Sequence, residues 1–266
     1  MDETNELLTE RRGRIGILRF NRPERRNALS PQLLIRLHEA LEAWAQENEI
    51  RTVVITGAGD KAFSSGYDIL AIPTDVTPEM AQQIRDSNPL ELALASVKNF
   101  PYPTIAMVNG HCFGGALNLA LCCDIRIGAD DIAVGMPAAR LGVVYPCDGI
   151  AQFVQVLGLA RAREVFFTAR TYRGAEVQAM RLVDHLVPRA ELQATTYALA
   201  EEIAGNAPLA LKGIKRALNM IEVAALLSAE ARRECEALMA AAFQSEDIKE
   251  GQLAFIQKRT PHFVGR

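Results

Sequence analysis

Two glycine-bearing segments carry the residue types best suited to chemistry. The first is Lys61-Ala62-Phe63-Ser64-Ser65-Gly66-Tyr67-Asp68-Ile69, and the second is Asn109-Gly110-His111-Cys112-Phe113-Gly114-Gly115-Ala116-Leu117-Asn118. Each follows an apolar run, and the second leads into a helical pattern. Glycines at such junctions let a ligand approach the backbone, and the free N–H groups of a first helical turn favour developing negative charge. Two such donors aimed at one oxygen form an oxyanion hole. Taken singly, glycines of this kind serve turns more often than catalysis. His111 at a strand end reads first as structural, and Cys112 and Cys147 have no histidine at a spacing suited to thiolate catalysis.

The elements that must position these segments alternate between strand and helix. Arg14 to Phe20 alternates in polarity, while Thr52 to Thr56 and Thr104 to Val108 are short apolar runs closed by Gly, Asn or Pro signals, so all three read as strands. Helices are predicted over Pro31 to Glu47, with Ser30 as cap and Pro31 at its first position, and from about Pro78 to Lys98. A run from Leu121 to Ile127 leads into Ile132-Ala133-Val134, after which helices dominate from Gly149 onward. The order predicts an α/β core over residues 1–200, followed by a helical region over 201–266. Within it, Leu226 to Ala242 has the spacing and alanine content for close packing, either on its own chain or on a neighbouring subunit.

Bulk properties narrow the class. The 266 residues, 49% hydrophobic and 23% charged, suit one large globular domain or a domain with a helical appendage. A formal net charge of −3 argues against a nucleic-acid partner, which calls for a clustered basic face. Five cysteines, with no Cys-x-x-Cys pair and no zinc spacing, read as reduced and free of metal. The acidic start Met1-Asp2-Glu3 lacks a secretory profile, and no apolar run approaches the ~20 residues of a membrane span. A soluble, cytoplasmic protein without membrane contact is expected.

The order of motifs is more specific than any one of them. Asn-Arg-Pro-x-x-Arg-Asn-Ala-Leu at Asn21 to Leu29 precedes Phe-Ser-Ser-Gly-Tyr-Asp, then Pro-Thr-Ile-Ala-Met-Val-Asn-Gly-His-Cys-Phe-Gly-Gly-Ala, then Cys123-Asp124. Throughout its length this series resembles the crotonase (enoyl-CoA hydratase/isomerase) superfamily. The resemblance implies a spiral core of repeated ββα units, a C-terminal helical trimerisation region, and assembly as a trimer or hexamer. It implies an acyl-CoA thioester substrate, with coenzyme A as part of the substrate and no separate cofactor. It implies oxyanion donors at the N–H groups of Tyr67 and Gly115. Coenzyme A is expected against Arg25, Asn27, Ala28, Ser64, Gly66, Asp68, Ile69 and Gly114. Lys258, with Arg259, is either a phosphate ligand reaching in from a neighbouring subunit or a solvated cationic helix end.

Enoyl-CoA hydratases of that superfamily use two glutamates to move a proton to and from water. Here Asn118 and Ala138 stand at those positions, and neither works as acid or base. The departures resemble the superfamily's methylmalonyl-CoA decarboxylase branch, as do Gly142-Val143-Val144-Tyr145, Phe167-Thr168-Ala169, Ala71-Ile72-Pro73 after the first loop, and the tail from Ser245 to Gly265. That branch has a histidine at Tyr67 and an acidic residue at Asn118. Loss of carbon dioxide from a malonyl-type thioester needs no base, because the departing carboxylate leaves its electrons in an enolate. Tyr145 would orient the carboxylate, or else is a core aromatic. Asn118 faces the pocket or satisfies backbone. Asp148 is an N-cap or the proton donor of an alternative hydratase or isomerase. The third possibility is an acyl-CoA binding protein without catalysis.

Overall fold

The computed structural model describes residues 5–68, 88–223 and 229–264. A six-stranded sheet runs in the order β1 (Leu7–Arg12), β2 (Ile15–Phe20), β3 (Thr52–Gly57), β5 (Thr104–Val108), β7 (Ile125–Ala129), β10 (His185–Val187). Only β1 and β2 pair antiparallel; the remaining neighbours are parallel. A smaller sheet follows the order β4 (Ala62–Ser64), β6 (His111–Phe113), β8 (Ala133–Gly135), β9 (Thr171–Arg173). The chain therefore spirals, entering the large sheet with a long strand, the small sheet with a short one, and then a helix.

Helix α1 (Pro31–Glu47) begins as its sequence predicts: the Ser30 hydroxyl accepts the Leu33 N–H at 3.0 Å and Pro31 takes the first position. It buries Leu33, Leu34, Leu37, Leu41 and Trp44, a three-and-four spacing that presents one apolar stripe to the core. Helix α2 (Pro89–Asn99) covers the second half of the helix expected over Pro78 to Lys98, whose first residues lie outside those described, as do Ala71-Ile72-Pro73. Helix α3 (Gly115–Cys122) is buried on every side, and the expected run from Leu121 divides between its last turn and β7.

The expected run Ile132-Ala133-Val134 overlaps β8, whereas the short strands β4, β6, β9 and β10 escape the sequence reading because three residues are too few to display a period. β1 escapes it for another reason. It is a sheet edge on which only Leu7 is buried, so no alternation is needed.

Helices α4 (Cys147–Leu157), α5 (Leu159–Thr168) and α6 (Ala175–Ala179) precede α7 (Leu192–Gly205), which packs on β3, β5 and β7. The border expected at residue 200 falls inside α7. The last helices are α8 (Pro208–Val223), α9 (Ala229–Phe243) and α10 (Glu246–Gln257). α10 returns to its own chain and packs on the 3₁₀ turn Ala138–Leu141. Gly251 makes this possible, since a Cβ there would lie 2.6 Å from the Leu141 carbonyl. Among the described residues no helix is long and apolar enough to cross a membrane.

Candidate active site

β4 and β6 are parallel neighbours, with Ala62 opposite His111 and Ser64 opposite Cys112. The loops that leave their C-terminal ends therefore emerge side by side. In the first loop, Leu29 N–H donates to the Gly66 carbonyl at 2.8 Å and Asp68 N–H donates to the Leu29 carbonyl at 3.0 Å. An extended chain alternates its polar groups, so the N–H of Tyr67, between those two, faces the other way. In the second loop, Gly114 N–H is consumed by the Gly135 carbonyl at 3.0 Å, and Gly115 opens α3, where a first-turn N–H has no acceptor within its helix. The two amides are close: a Cβ built on Gly115 would stand 3.6 Å from Tyr67 N, and one built on Gly66 would stand 3.6 Å from Gly115 N. Both residues line a cleft of about 470 Å³. The arrangement suits a single anionic oxygen held by two backbone donors at a positive helix end.

The far wall of the cleft includes Tyr145, Ala138 and Val143. The Tyr145 ring is fixed by an aromatic cluster, its centroid 5.8 Å from that of Phe166 and 6.4 Å from that of Phe153. Its hydroxyl is buried without a hydrogen-bond partner. Burial pushes the phenol's pKa up, an effect the neighbouring Asn118 amide opposes without completing a well-formed hydrogen bond. Burial, and then the Asp68 carboxylate, likewise raise the Tyr67 phenol.

The structure brings together Gly66, Tyr67, Gly114, Gly115 and Tyr145 on this cleft, and the other expected residues that it describes do not line it. Asn118 and Asp148 line an adjoining cavity of about 310 Å³, which shares Tyr145 as a wall. Asn118 is buried with its Oδ1 unpartnered, so that oxygen satisfies no backbone donor. Asp148 is exposed in the first turn of α4, whose cap is Pro146; the N-cap expected of Asp148 is displaced by two residues because the proline ends the preceding loop.

The Asn-Ala-Leu turn expected against coenzyme A is engaged by hydrogen bonds within the chain. Asn27, at φ +55°, donates to the carbonyls of Ala58 at 2.9 Å and Ala62 at 2.8 Å and accepts from Arg22 N–H, so its side chain is fully used. Ser64 is buried and its hydroxyl accepts the Gly66 N–H at 3.1 Å. Arg22 ties the turn to the first loop, donating to the Ala28 carbonyl at 2.8 Å and pairing with Asp68 at 3.3 Å, which takes Ala28 and Asp68 out of the cleft. Arg25 points to solvent, and Ile69 lies outside the described residues. Lys258 caps α10 at φ +54° away from the cleft, whereas the next residue, Arg259, lines it within the same chain and holds the Glu250 carboxyl down to about 2 through a direct hydrogen bond. His111 and Cys147 are off the cleft too.

Sequence reasoning missed Arg26 and Arg140, exposed cations on the cleft wall, and Glu91 on the adjoining cavity. Arg140 was signalled by its place in the Pro-Ala-Ala-Arg-Leu-Gly segment, and Arg26 by its fixed place in the Asn-Arg-Pro-x-x-Arg-Asn-Ala-Leu series. Among the described residues no three His, Cys, Asp or Glu side chains gather to hold a metal ion.

The assignment of Asn27 to structure predicts its effect on stability. Asn27→Ala should lower it by about 2–4 kcal/mol, since two buried carbonyls lose their donors, and urea unfolding measures this directly.

Residues 10–266 match the enoyl-CoA hydratase/isomerase family. The chain belongs to that family. Short-chain-enoyl-CoA hydratase of Clostridium acetobutylicum is 31% identical over 97% of each chain. Methylmalonyl-CoA decarboxylase of Escherichia coli is 30% identical over 95% of each. A solved structure of methylmalonyl-CoA decarboxylase in complex with 2-nitronate-propionyl-CoA superimposes with a TM-score of 0.90 at 29% identity, covering 98% of this chain and 99% of the other. The protein is thus an acyl-CoA processing enzyme of the crotonase superfamily with the fold that the motif order implied.

Proposed function

We propose that this enzyme decarboxylates a methylmalonyl-CoA-like thioester. The thioester oxygen accepts from Tyr67 N–H and Gly115 N–H, and the substrate carboxylate accepts from the Tyr145 hydroxyl. The bond from the α-carbon to the carboxylate breaks heterolytically, its electron pair enters the enolate held by the two amides, carbon dioxide leaves, and the α-carbon then takes a proton. No metal or redox cofactor enters these steps. The observation that carries this reading is a buried tyrosine hydroxyl without an internal partner on the same cleft as the paired amides. Support also comes from Asn118 and Ala138, which put no carboxylate where one would repel the substrate's own.

Arg26, Arg140 and Arg259 around the cleft suit the phosphates of coenzyme A. Exposed apolar residues along α8, among them Leu209 at 83% and Ile221 at 71%, suit association as a trimer or a dimer of trimers. Methylmalonyl-CoA labelled with carbon-13 in its free carboxyl should yield labelled carbon dioxide. No release above background, with hydration of crotonyl-CoA instead, overturns the reading.

A second reading is hydration or isomerisation of an enoyl-CoA, which Asp148 and Glu91 favour by lining the cavity beside Asn118. Asp148→Asn separates the two, because it should abolish hydration of crotonyl-CoA and spare the release of carbon dioxide.

A further inference from the structure

The adjoining cavity borders the cleft. Tyr145 lines both spaces, and a Cβ on Gly115 would meet Leu90, a residue of the adjoining cavity, at 3.3 Å. The cavity therefore lies beside the paired amides. Asn118, one helical turn beyond Gly115, is 1% exposed and lines this cavity. Its Oδ1 is buried and accepts no hydrogen bond. A carbonyl left in that state costs about 1–3 kcal/mol, a penalty that leucine, of similar size, would not carry. The penalty is relieved when a ligand in the cavity donates to it.

We propose that this cavity is a binding site for an acyl substituent bearing a neutral hydrogen-bond donor, a hydroxyl or a carboxamide, with Asn118 Oδ1 as its acceptor. The proposal rests on the decarboxylase reading and narrows it to a malonyl-type thioester whose substituent on the α-carbon extends past a methyl group. Leu90 and Leu94 supply apolar walls for the carbons of that substituent. An anionic terminus is disfavoured, because two carboxylates, Glu91 and Asp148, line the same space against the Lys98 ammonium.

Saturated acyl-CoA thioesters lack the carboxylate that is lost, so their binding does not depend on turnover. Isothermal titration calorimetry should show ω-hydroxyacyl-CoA binding about tenfold more tightly than the alkyl thioester of equal length, the weight of one hydrogen bond to a buried acceptor. Asn118→Leu should bring the two affinities together. Ala95→Trp, which fills the cavity from its exposed side, should weaken both long thioesters and leave propionyl-CoA unchanged, and it answers the question if the Asn118 variant does not fold. Equal affinities in the unmodified enzyme, or a hydroxyl preference that survives Asn118→Leu, would overturn this site while propionyl-CoA binding leaves the decarboxylase reading intact. Failure of every thioester, propionyl-CoA included, would sink both.

Discussion

Gly66→Ala is expected to lower kcat by about 10²–10³-fold, the scale on which an oxyanion donor acts. Gly66 has φ +102°, a region that a residue with a Cβ adopts only under strain, and that Cβ would press on the Phe113 carbonyl at 2.7 Å. Phe113 leads through Gly114 to Gly115, so relief of the clash moves both amide donors at once. Because the loss concerns charge that develops during reaction, kcat should fall far more than KM rises. Steady-state rates of carbon dioxide release measure this, and an unchanged kcat would show that the paired amides do not hold the reacting oxygen.

Tyr145→Phe is expected to separate stability from activity. The hydroxyl is buried without an internal partner, so removing it should leave thermal stability unchanged or raise it, within about 1–3 kcal/mol. Decarboxylation should nevertheless fall by about 10²-fold, since the carboxylate loses the donor that aligns its bond for cleavage. The pH dependence follows from the same burial. The phenol's folded-state pKa lies above its ordinary value of 10.0, so Tyr145 remains a donor throughout neutral and mildly alkaline solution, and no alkaline fall in rate below pH 10 should trace to it. The unfolded phenol loses its proton near 10.0 while the folded one keeps it, so stability falls as the pH rises from there through the folded-state value. The phenylalanine variant should therefore lose less stability above about pH 10 than the parent does. A variant both unstable and fully active would assign Tyr145 to the core alone.

The amino-acid sequence determined those features that local chemistry controls. Ser30 with Pro31 starts α1, and the apolar runs at Thr52 and Thr104 form central strands. The glycines at 66 and 114 mark backbone that must take positive φ, and Gly115 at a helix start provides a free donor. Each of these depends on residues within a few positions of one another. Tertiary structure decided which neighbours face the ligand. Arg26 and Asn27 both have left-handed φ, so the chain doubles back and turns the asparagine inward to the Ala58 and Ala62 carbonyls while the arginine stays at the cleft. A left-handed cap does the same at the end of α10, turning Lys258 away and leaving Arg259 on the wall. Asn118 and Asp148 were legible as residues of interest, but their place behind Tyr145 depends on how α2, α3 and α4 pack together. The pairing of the two amides arises from β4 lying beside β6, a contact between segments that are distant in the chain, and no local pattern encodes that register.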